Sequence, residues 1–183
     1  RVTRLSADVA RLTGAVDDPE VARIQQQADE LKGPAGLGTV RGPGLTVTLS
    51  DSPISLADTT DVPLKLLLVH QQDVQAVVNA LWRGGASAVT IQGQRVVSTT
   101  AIKCEGNSIT IQGVPYPQPY VISAVGDPTR LQQAIDTDSY LELYIAQSQQ
   151  PDIQIGWSTQ AETEITAPPY DGLLDLSYAT PAS

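Results

Sequence analysis

The residues of this sequence best suited to chemistry are its one histidine and its one cysteine. His70 stands three residues before Asp73, and a carboxylate can orient an imidazole as a general base. Such a base needs a nucleophile, but no Gly-x-Ser-x-Gly motif occurs and Cys104 has no second histidine to activate it. The pattern therefore favours structural roles. We expect His70 and Asp73 to begin a helix and Cys104 to be a small buried apolar residue.

Metal and cofactor motifs are missing from the sequence. One cysteine and one histidine can form neither a disulfide within the chain nor a structural zinc site. Asp51, Asp58 and Asp61 lack the spacing of a calcium loop. The glycines from Gly36 to Gly44 follow neither the P-loop nor the dinucleotide-binding pattern. We therefore expect no metal and no cofactor.

Composition argues against nucleic acid as a partner. The 183 residues are 41% hydrophobic and 17% charged, which is typical of a globular protein. A net charge of -9 repels phosphate backbones and anionic lipid headgroups. The eight aromatics are two Trp and six Tyr, and none falls in the predicted central strands at residues 45–50 and 108–112, where an RNA-binding sheet stacks bases.

The first 32 residues have the spacing of a helical stalk. Apolar residues recur three and four apart in two sets: Leu5, Val9, Leu12 and Val16, then Val21, Ile24, Ala28 and Leu31. Pro19 interrupts the seam, and Asp18 is suited to cap a second helix that begins at Pro19. Each set covers about two heptads, so a coiled coil and an amphipathic helix packed on its own domain both remain open.

Glycine and proline divide the rest of the chain. Residues 33–44 are predicted to form a hinge, residues 45–166 an α/β domain and residues 167–183 an extended tail. The apolar run at residues 64–69 is predicted as a strand or as a segment that leads into the next helix. That helix runs through Val74, Val77, Val78 and Leu81, with Asp73 in its first turn, and ends at Gly84.

The order of the remaining elements predicts the fold class. Strands are expected at residues 45–50, 88–91, 95–99, 102–104, 108–111, 120–125, 140–146 and 153–157, with an extended connector at the prolines 115, 117 and 119 and a helix beginning at Pro128. This order predicts an α+β fold, a ferredoxin-like split βαβ sheet with an inserted hairpin. Two helices would cover one face and leave Thr46, Thr48, Thr90 and Thr110 on the other.

Three longer runs carry a family resemblance. They are Gly42–Leu49, Val69–Trp82 and Gly85–Arg95, which read GPGLTVTL, VHQQDVQAVVNALW and GASAVTIQGQR. Together they resemble the bacterial family called domain of unknown function 881, over about residues 31–170. The resemblance implies a membrane helix upstream of Arg1, a coiled-coil stalk and an extracytoplasmic α/β domain, often encoded near cell-envelope or cell-division genes. It implies no established activity and carries over no catalytic residues.

Two hypotheses of function follow. The first is a non-enzymatic, membrane-anchored extracytoplasmic interaction domain, with partners in the cell envelope or division machinery and a homodimer formed through the N-terminal helices. The second is a small-ligand sensor or enzyme with a cleft near His70, Asp73 and Arg95. The candidate interaction residues are His70, Asp73, Asn79 and Arg95; Asn79 and Arg95 are polar residues beside well-patterned apolar ones and fit a solvated surface equally well.

Overall fold

A computed structural model of the chain describes residues 19–33, 35–53, 55, 61–105 and 108–172. The first element, α1, spans Pro19–Lys32 and begins at the predicted residue. None of its side chains is buried, and Ile24 and Leu31 are 54% and 66% exposed. The first predicted helix, which precedes Pro19, lies outside the described residues. Asp18, the predicted cap of α1, lies outside them as well.

Eight strands form two antiparallel sheets within the described residues. The strands are β1 Val40–Ser50, β2 Ala88–Ile91, β3 Gln94–Val96, β4 Ile102–Glu105, β5 Ser108–Ile111, β6 Val114–Tyr116, β7 Tyr120–Val125 and β8 Gly156–Ala167. The main sheet has the order β3-β2-β7-β1-β8, and the smaller one β4-β5-β6. The α+β class predicted from the sequence is confirmed, and the ferredoxin-like arrangement stays a prediction.

Three further helices cover one face of the main sheet. They are α2 Gln71–Arg83, α3 Pro128–Asp136 and α4 Ser139–Ser148, and a single 3-10 turn at Leu64–Leu66 leads into α2. The apolar run at residues 64–69 is therefore not a strand but leads into the next helix, the second of the two predicted possibilities. Among the described residues, no helix is both long and apolar enough to cross a bilayer.

One core joins these layers. Leu45, Val47 and Leu49 alternate along β1 and are at most 2% exposed, because every second side chain of a strand points to the same face. The buried side of α2 belongs to the same core, as its periodicity predicts. Ile109 and Ile111 of the smaller sheet belong to the same core.

The prediction of a strand at residues 140–146 is wrong. These residues lie in α4, which begins where the Asp138 side chain accepts hydrogen bonds from the backbone N–H groups of Tyr140 and Leu141. Leu141 and Tyr144, three apart, are buried, whereas Leu143 is 60% exposed. Apolar residues on several sides of a short helix imitate the alternation of a strand.

Three other boundaries differ from the predictions. β1 begins at Val40, so residues 40–44 of the predicted hinge are strand. The proline connector includes β6, which pairs with β5 from Ile109↔Tyr116 to Ile111↔Val114. Pro115 is tolerated there because β6 is an edge strand. The last strand begins at Gly156, after buried residues Ile153 and Ile155.

The sheet face opposite the helices is partly covered. Thr46 and Thr90 lie on it beside Ser123, to which both make hydrogen bonds. Thr110 does not, because it belongs to the smaller sheet. A small apolar cluster formed by Ala88, Val125, Ile165 and Ala167 also occupies this face.

The edge strand β8 carries a bulge. Gly42 pairs with Ile165 and Gly44 with Glu162, so β8 has two residues where β1 has one. One of the two is Glu164, and Glu162 lies beside the bulge. A bulge and charged residues are features that discourage the pairing of an edge strand with another chain.

Candidate functional site

The four residues singled out from the sequence fall at two places around α2. His70 and Asp73 lie at the start of the helix, and Asn79 lies on its exposed side in the second half. Arg95 is on β3, next to that second half. Two separate clefts result, one lined by His70 and Asp73 and one lined by Asn79 and Arg95. The structure thus does not bring His70, Asp73 and Arg95 into one pocket.

The His70 cleft has a volume of about 200 Å³ and is organised by the cap of α2. The Asp73 carboxylate accepts hydrogen bonds from the His70 backbone N–H at 2.6 Å and from the Tyr140 hydroxyl at 2.5 Å. The His70 Nδ1 lies 2.8 Å from the carbonyl oxygen of Leu68 and 3.9 Å from the Asp73 carboxylate. Asp73 therefore holds the helix start in place, and the imidazole is oriented by a carbonyl group.

Two tyrosines of α4 complete this cleft. Burial raises the pKa of Tyr140 and of Tyr144 well above the ordinary value. Asp73 adds to this effect, through its hydrogen bond with Tyr140 and through its negative charge near both hydroxyls. Tyr144 is 5% exposed, and its hydroxyl has no hydrogen-bond partner among the described residues. Sequence reasoning missed both residues because it assigned α4 as a strand.

Cys104 is exposed, which contradicts the expectation that it is buried. In β4 only Ile102 faces the core, and the following residues face solvent. The Cys104 Sγ accepts a hydrogen bond from the Gln71 backbone at 3.1 Å, and the Cys104 N–H donates to the Gln71 side chain at 2.9 Å. This cysteine joins β4 to the first turn of α2.

The larger cleft, which we call the α2 groove, has a volume of about 730 Å³. It runs between the exposed side of α2, the linker that follows α1 and the segment that follows β3. Gln75, Asn79 and Trp82 form the helix wall, and Ser98 and Thr100 stand opposite. Trp82 is 39% exposed. No role was predicted for this residue from the sequence.

Arg95 is one of the residues that line the groove and is 4% exposed. Its Nη1 donates hydrogen bonds to the carbonyl oxygens of Gly38 at 3.1 Å and Pro168 at 3.2 Å. Close by, the Tyr170 N–H donates to the Gly36 carbonyl at 2.8 Å. Burial lowers the pKa of the Arg95 guanidinium. Arg95 therefore ties β3, the linker after α1 and the segment after β8 together.

Gly36 fits this junction because of its backbone conformation. Its φ is +75°, and an added Cβ would lie 2.7 Å from Val97 and 3.8 Å from the Arg95 guanidinium. The linker after α1 is therefore packed against the domain at this point, held by hydrogen bonds on both sides.

Metal ligation finds no support in this geometry. Across residues 19–33, 35–53, 55, 61–105 and 108–172, no three His, Cys, Asp or Glu side chains cluster as a metal site requires.

Residues 27–180 match the family model described as "Bacterial protein of unknown function (DUF881)". The chain belongs to this family. The resemblance seen in the sequence is thus confirmed for most of the chain, including α2 and the groove beside it.

Relatives in two bacteria match parts of the chain. The "UPF0749 protein MT1871" of Mycobacterium tuberculosis is 37% identical over 139 residues, which cover 73% of this chain and 45% of that protein. The "UPF0749 protein YlxW" of Bacillus subtilis is 39% identical over 89 residues, or 49% of this chain and 37% of that protein. The chain therefore spans less than half the length of these relatives.

A solved structure shares the fold. The crystal structure of an uncharacterized conserved protein from Mycobacterium tuberculosis aligns with a TM-score of 0.62 at 20% identity. The alignment covers 85% of this chain and 99% of that one. At this identity, the likeness concerns the fold alone.

Proposed function

We propose that this chain is a non-enzymatic interaction domain that pairs with a second copy of itself through α1. The observation that carries this proposal is that none of the 14 residues of α1 is buried. A helix this short is marginally stable alone, and its apolar residues gain by being covered.

The spacing of α1 suits a second copy as the covering partner. Val21, Ile24, Ala28 and Leu31 follow the three-four-three spacing of a coiled-coil seam. In a parallel pair, Glu20 of one helix would face Gln25 of the other, and Gln27 would face Lys32. No like charges therefore meet at these flanking positions. Ion pairs within the helix, Glu20 with Arg23 and Asp29 with Lys32, leave the seam free.

The absence of catalysis is part of the proposal and rests on how the reactive groups are used. The Asp73 carboxylate is taken up by the helix cap and Tyr140. The sulfur of Cys104 accepts a hydrogen bond from the Gln71 backbone N–H. The His70 ring is hydrogen-bonded to the Leu68 carbonyl group. The alternative function, a sensor or enzyme at a cleft shared by His70, Asp73 and Arg95, loses support because Arg95 lines the other cleft.

The place of action is proposed from the family resemblance. The domain would stand on the extracytoplasmic side of the cell membrane, held by an anchor upstream, with α1 as part of a stalk. Its protein partners would belong to the cell envelope or division machinery. Protease treatment of intact cells that carry the full-length protein tests the location, since an extracytoplasmic domain is cleaved and a cytoplasmic one is protected.

Sedimentation velocity across a range of protein concentrations tests the pairing. We expect a monomer–dimer equilibrium that the double substitution Ile24→Gln and Leu31→Gln weakens by well over ~100-fold, since each buried Ile or Leu contributes about 1.5–3 kcal/mol. The matched control, Ala22→Gln with Glu30→Gln, changes the same helix away from the seam and should leave the equilibrium unchanged. A wild-type chain that stays monomeric, or equal loss in both variants, would contradict the proposal.

A further inference from the structure

The α2 groove contains a buried cation whose charge no described residue balances. Arg95 is 4% exposed, yet the ion pairs found among the described residues do not include it. Its Nη1 donates to two neutral carbonyl groups, and its Nε has no hydrogen-bond partner in the described part of the chain. Burying a charged group is unfavourable unless an opposite charge accompanies it. An anion in the groove would supply that charge.

The groove is also free of acidic side chains. The chain contains 20 Asp and Glu residues and has a net charge of -9. None of the described residues that line the groove is one of them. A negatively charged ligand would be repelled by most of the surface and accepted at this place.

The remaining walls offer neutral polar groups and a flat apolar surface. The amides of Gln75 and Asn79 are exposed on α2, and the hydroxyls of Ser98 and Thr100 stand on the opposite wall. Trp82 contributes an exposed ring. The volume of about 730 Å³ lies within the range of small-ligand sites. These are the groups that bind the polar, uncharged part of a ligand.

We propose that the α2 groove binds a polar ligand that bears a carboxylate, with Arg95 supplying the balancing charge and the Asn79 amide a hydrogen bond. A carboxylate fits better than a phosphate, because one guanidinium balances one negative charge and a phosphate monoester carries nearly two. The proposal goes beyond self-association through α1 and does not depend on it. Gly33 and Gly36 follow α1 in the chain and line the groove, so the bound ligand would lie next to the C-terminal end of that helix.

Nuclear magnetic resonance titration of the ¹⁵N-labelled chain tests this directly. The probes are N-acetylalanine, a peptide-like carboxylate, and galacturonate, a sugar acid; N-acetylalanine amide and galactose are their uncharged counterparts. We expect one carboxylate to shift the Arg95 Nε–H, the Asn79 side-chain amide and the Trp82 indole N–H together, with a dissociation constant of about 1–10 mM. The uncharged counterpart should bind at least ~10-fold more weakly, since a charge-assisted bond is lost. The tighter of the two acids distinguishes a peptide terminus from an acidic sugar.

Substitutions separate the site from its surroundings. Asn79→Ala lies on an exposed helix position and should keep the fold while weakening the carboxylate about 5-fold, the effect of one hydrogen bond. Gln72→Ala, exposed on the same helix outside the groove, is the control and should change nothing. The proposal fails if the Arg95 Nε–H does not shift with either acid, if the uncharged probes bind equally well, or if the shifts map to the His70 cleft. None of these results depends on whether the chain pairs through α1.

Discussion

Replacing Arg95 by methionine tests how the domain holds its first and last segments. The substitution removes the two hydrogen bonds to Gly38 and Pro168 and keeps an unbranched side chain in the core. Two bonds from a charged donor are worth about 3–6 kcal/mol together. Part of that loss is offset, because the variant no longer buries a guanidinium and because Gly38 and Pro168 are half-buried, so water can reach their carbonyl groups. We expect the free energy of unfolding to fall by about 2 kcal/mol.

Two measurements check this expectation. Thermal unfolding should show Tm lowered by about 4–8 °C, given about 2–4 °C per kcal/mol for a chain of this size. Hydrogen exchange should show that the substitution speeds exchange of the Tyr170 amide, which donates to Gly36 beside the lost contacts. Exchange of the Val47 amide in the core strand β1 should increase less. Arg95→Lys keeps the charge without the planar guanidinium, so its Tm and its Tyr170 exchange rate should lie between those of the wild type and the methionine variant. Unchanged Tyr170 protection in the methionine variant would refute the reasoning.

Three further predictions concern single contacts. Gly44→Ala should destabilise the domain by about 3 kcal/mol in urea unfolding, because the new Cβ would lie 2.0 Å from the Ala124 carbonyl oxygen. Burial tends to raise the pKa of Asp138, but hydrogen bonds from backbone N–H groups and from Arg83 outweigh burial and hold this pKa below the ordinary 3.8. The stability that the Asp138 carboxylate provides is therefore fully present above pH 3.8 and disappears as the pH falls through the lower folded-state pKa. Asp138→Asn should therefore cost about 0.5–1 kcal/mol at pH 7, where solvent screens the exposed Arg83, and nothing in acid. Tyr144→Phe removes a buried hydroxyl without a described partner and should leave stability equal or up to about 1 kcal/mol higher.

Each of these has a control or a contrary outcome. Gly38→Ala adds a Cβ with nothing within 4 Å and should be tolerated, so equal damage from both glycine substitutions would contradict the steric argument. A cost for Asp138→Asn that is the same at pH 7 and pH 3 would remove the charge from the explanation. Marked destabilisation by Tyr144→Phe would mean that a water molecule or another group satisfies the hydroxyl.

Local patterns predicted much of the fold. The apolar residues of α2 recur with one helical period and are bounded by Asp73 and Gly84, so its position follows from the sequence. The turn between β2 and β3 is set by Gln92-Gly93, both with positive φ. The sequence Ile111-Gln112-Gly113 repeats that signal with the same conformation and could have revealed the hairpin of β5 and β6.

The misassigned helix α4 shows where such patterns become ambiguous. Leu141, Leu143 and Ile145 alternate, and alternation alone indicates a strand. The competing signal was Asp138, an N-cap residue directly before the segment, whose side chain accepts from two backbone N–H groups. Because α4 buries only two side chains completely, its helical period is weak.

The candidate sites depend on contacts that no local pattern contains. Arg95 meets carbonyl groups 57 and 73 residues away in the sequence, and Asp73 meets Tyr140 at a separation of 67. Sequence spacing identified His70 and Asp73 as neighbours because they share one helix end. It could not separate them from Arg95, since the distance between two elements is fixed by the packing of the whole domain.

The pairing of β1 with β8 determines how the domain responds to mechanical tension. The chain enters at Val40 and leaves at Ala167, which are paired at the same end of two antiparallel strands. A force pulling the two ends apart loads the perpendicular hydrogen bonds one pair at a time, so the strands peel rather than slide. Outside the first pair, the hydrogen bond from Tyr170 to Gly36 is loaded first, followed by the Arg95 side chain that bridges Gly38 and Pro168. The resistance of the domain to stretching thus depends on the contacts at the Val40–Ala167 end of the β1–β8 pair.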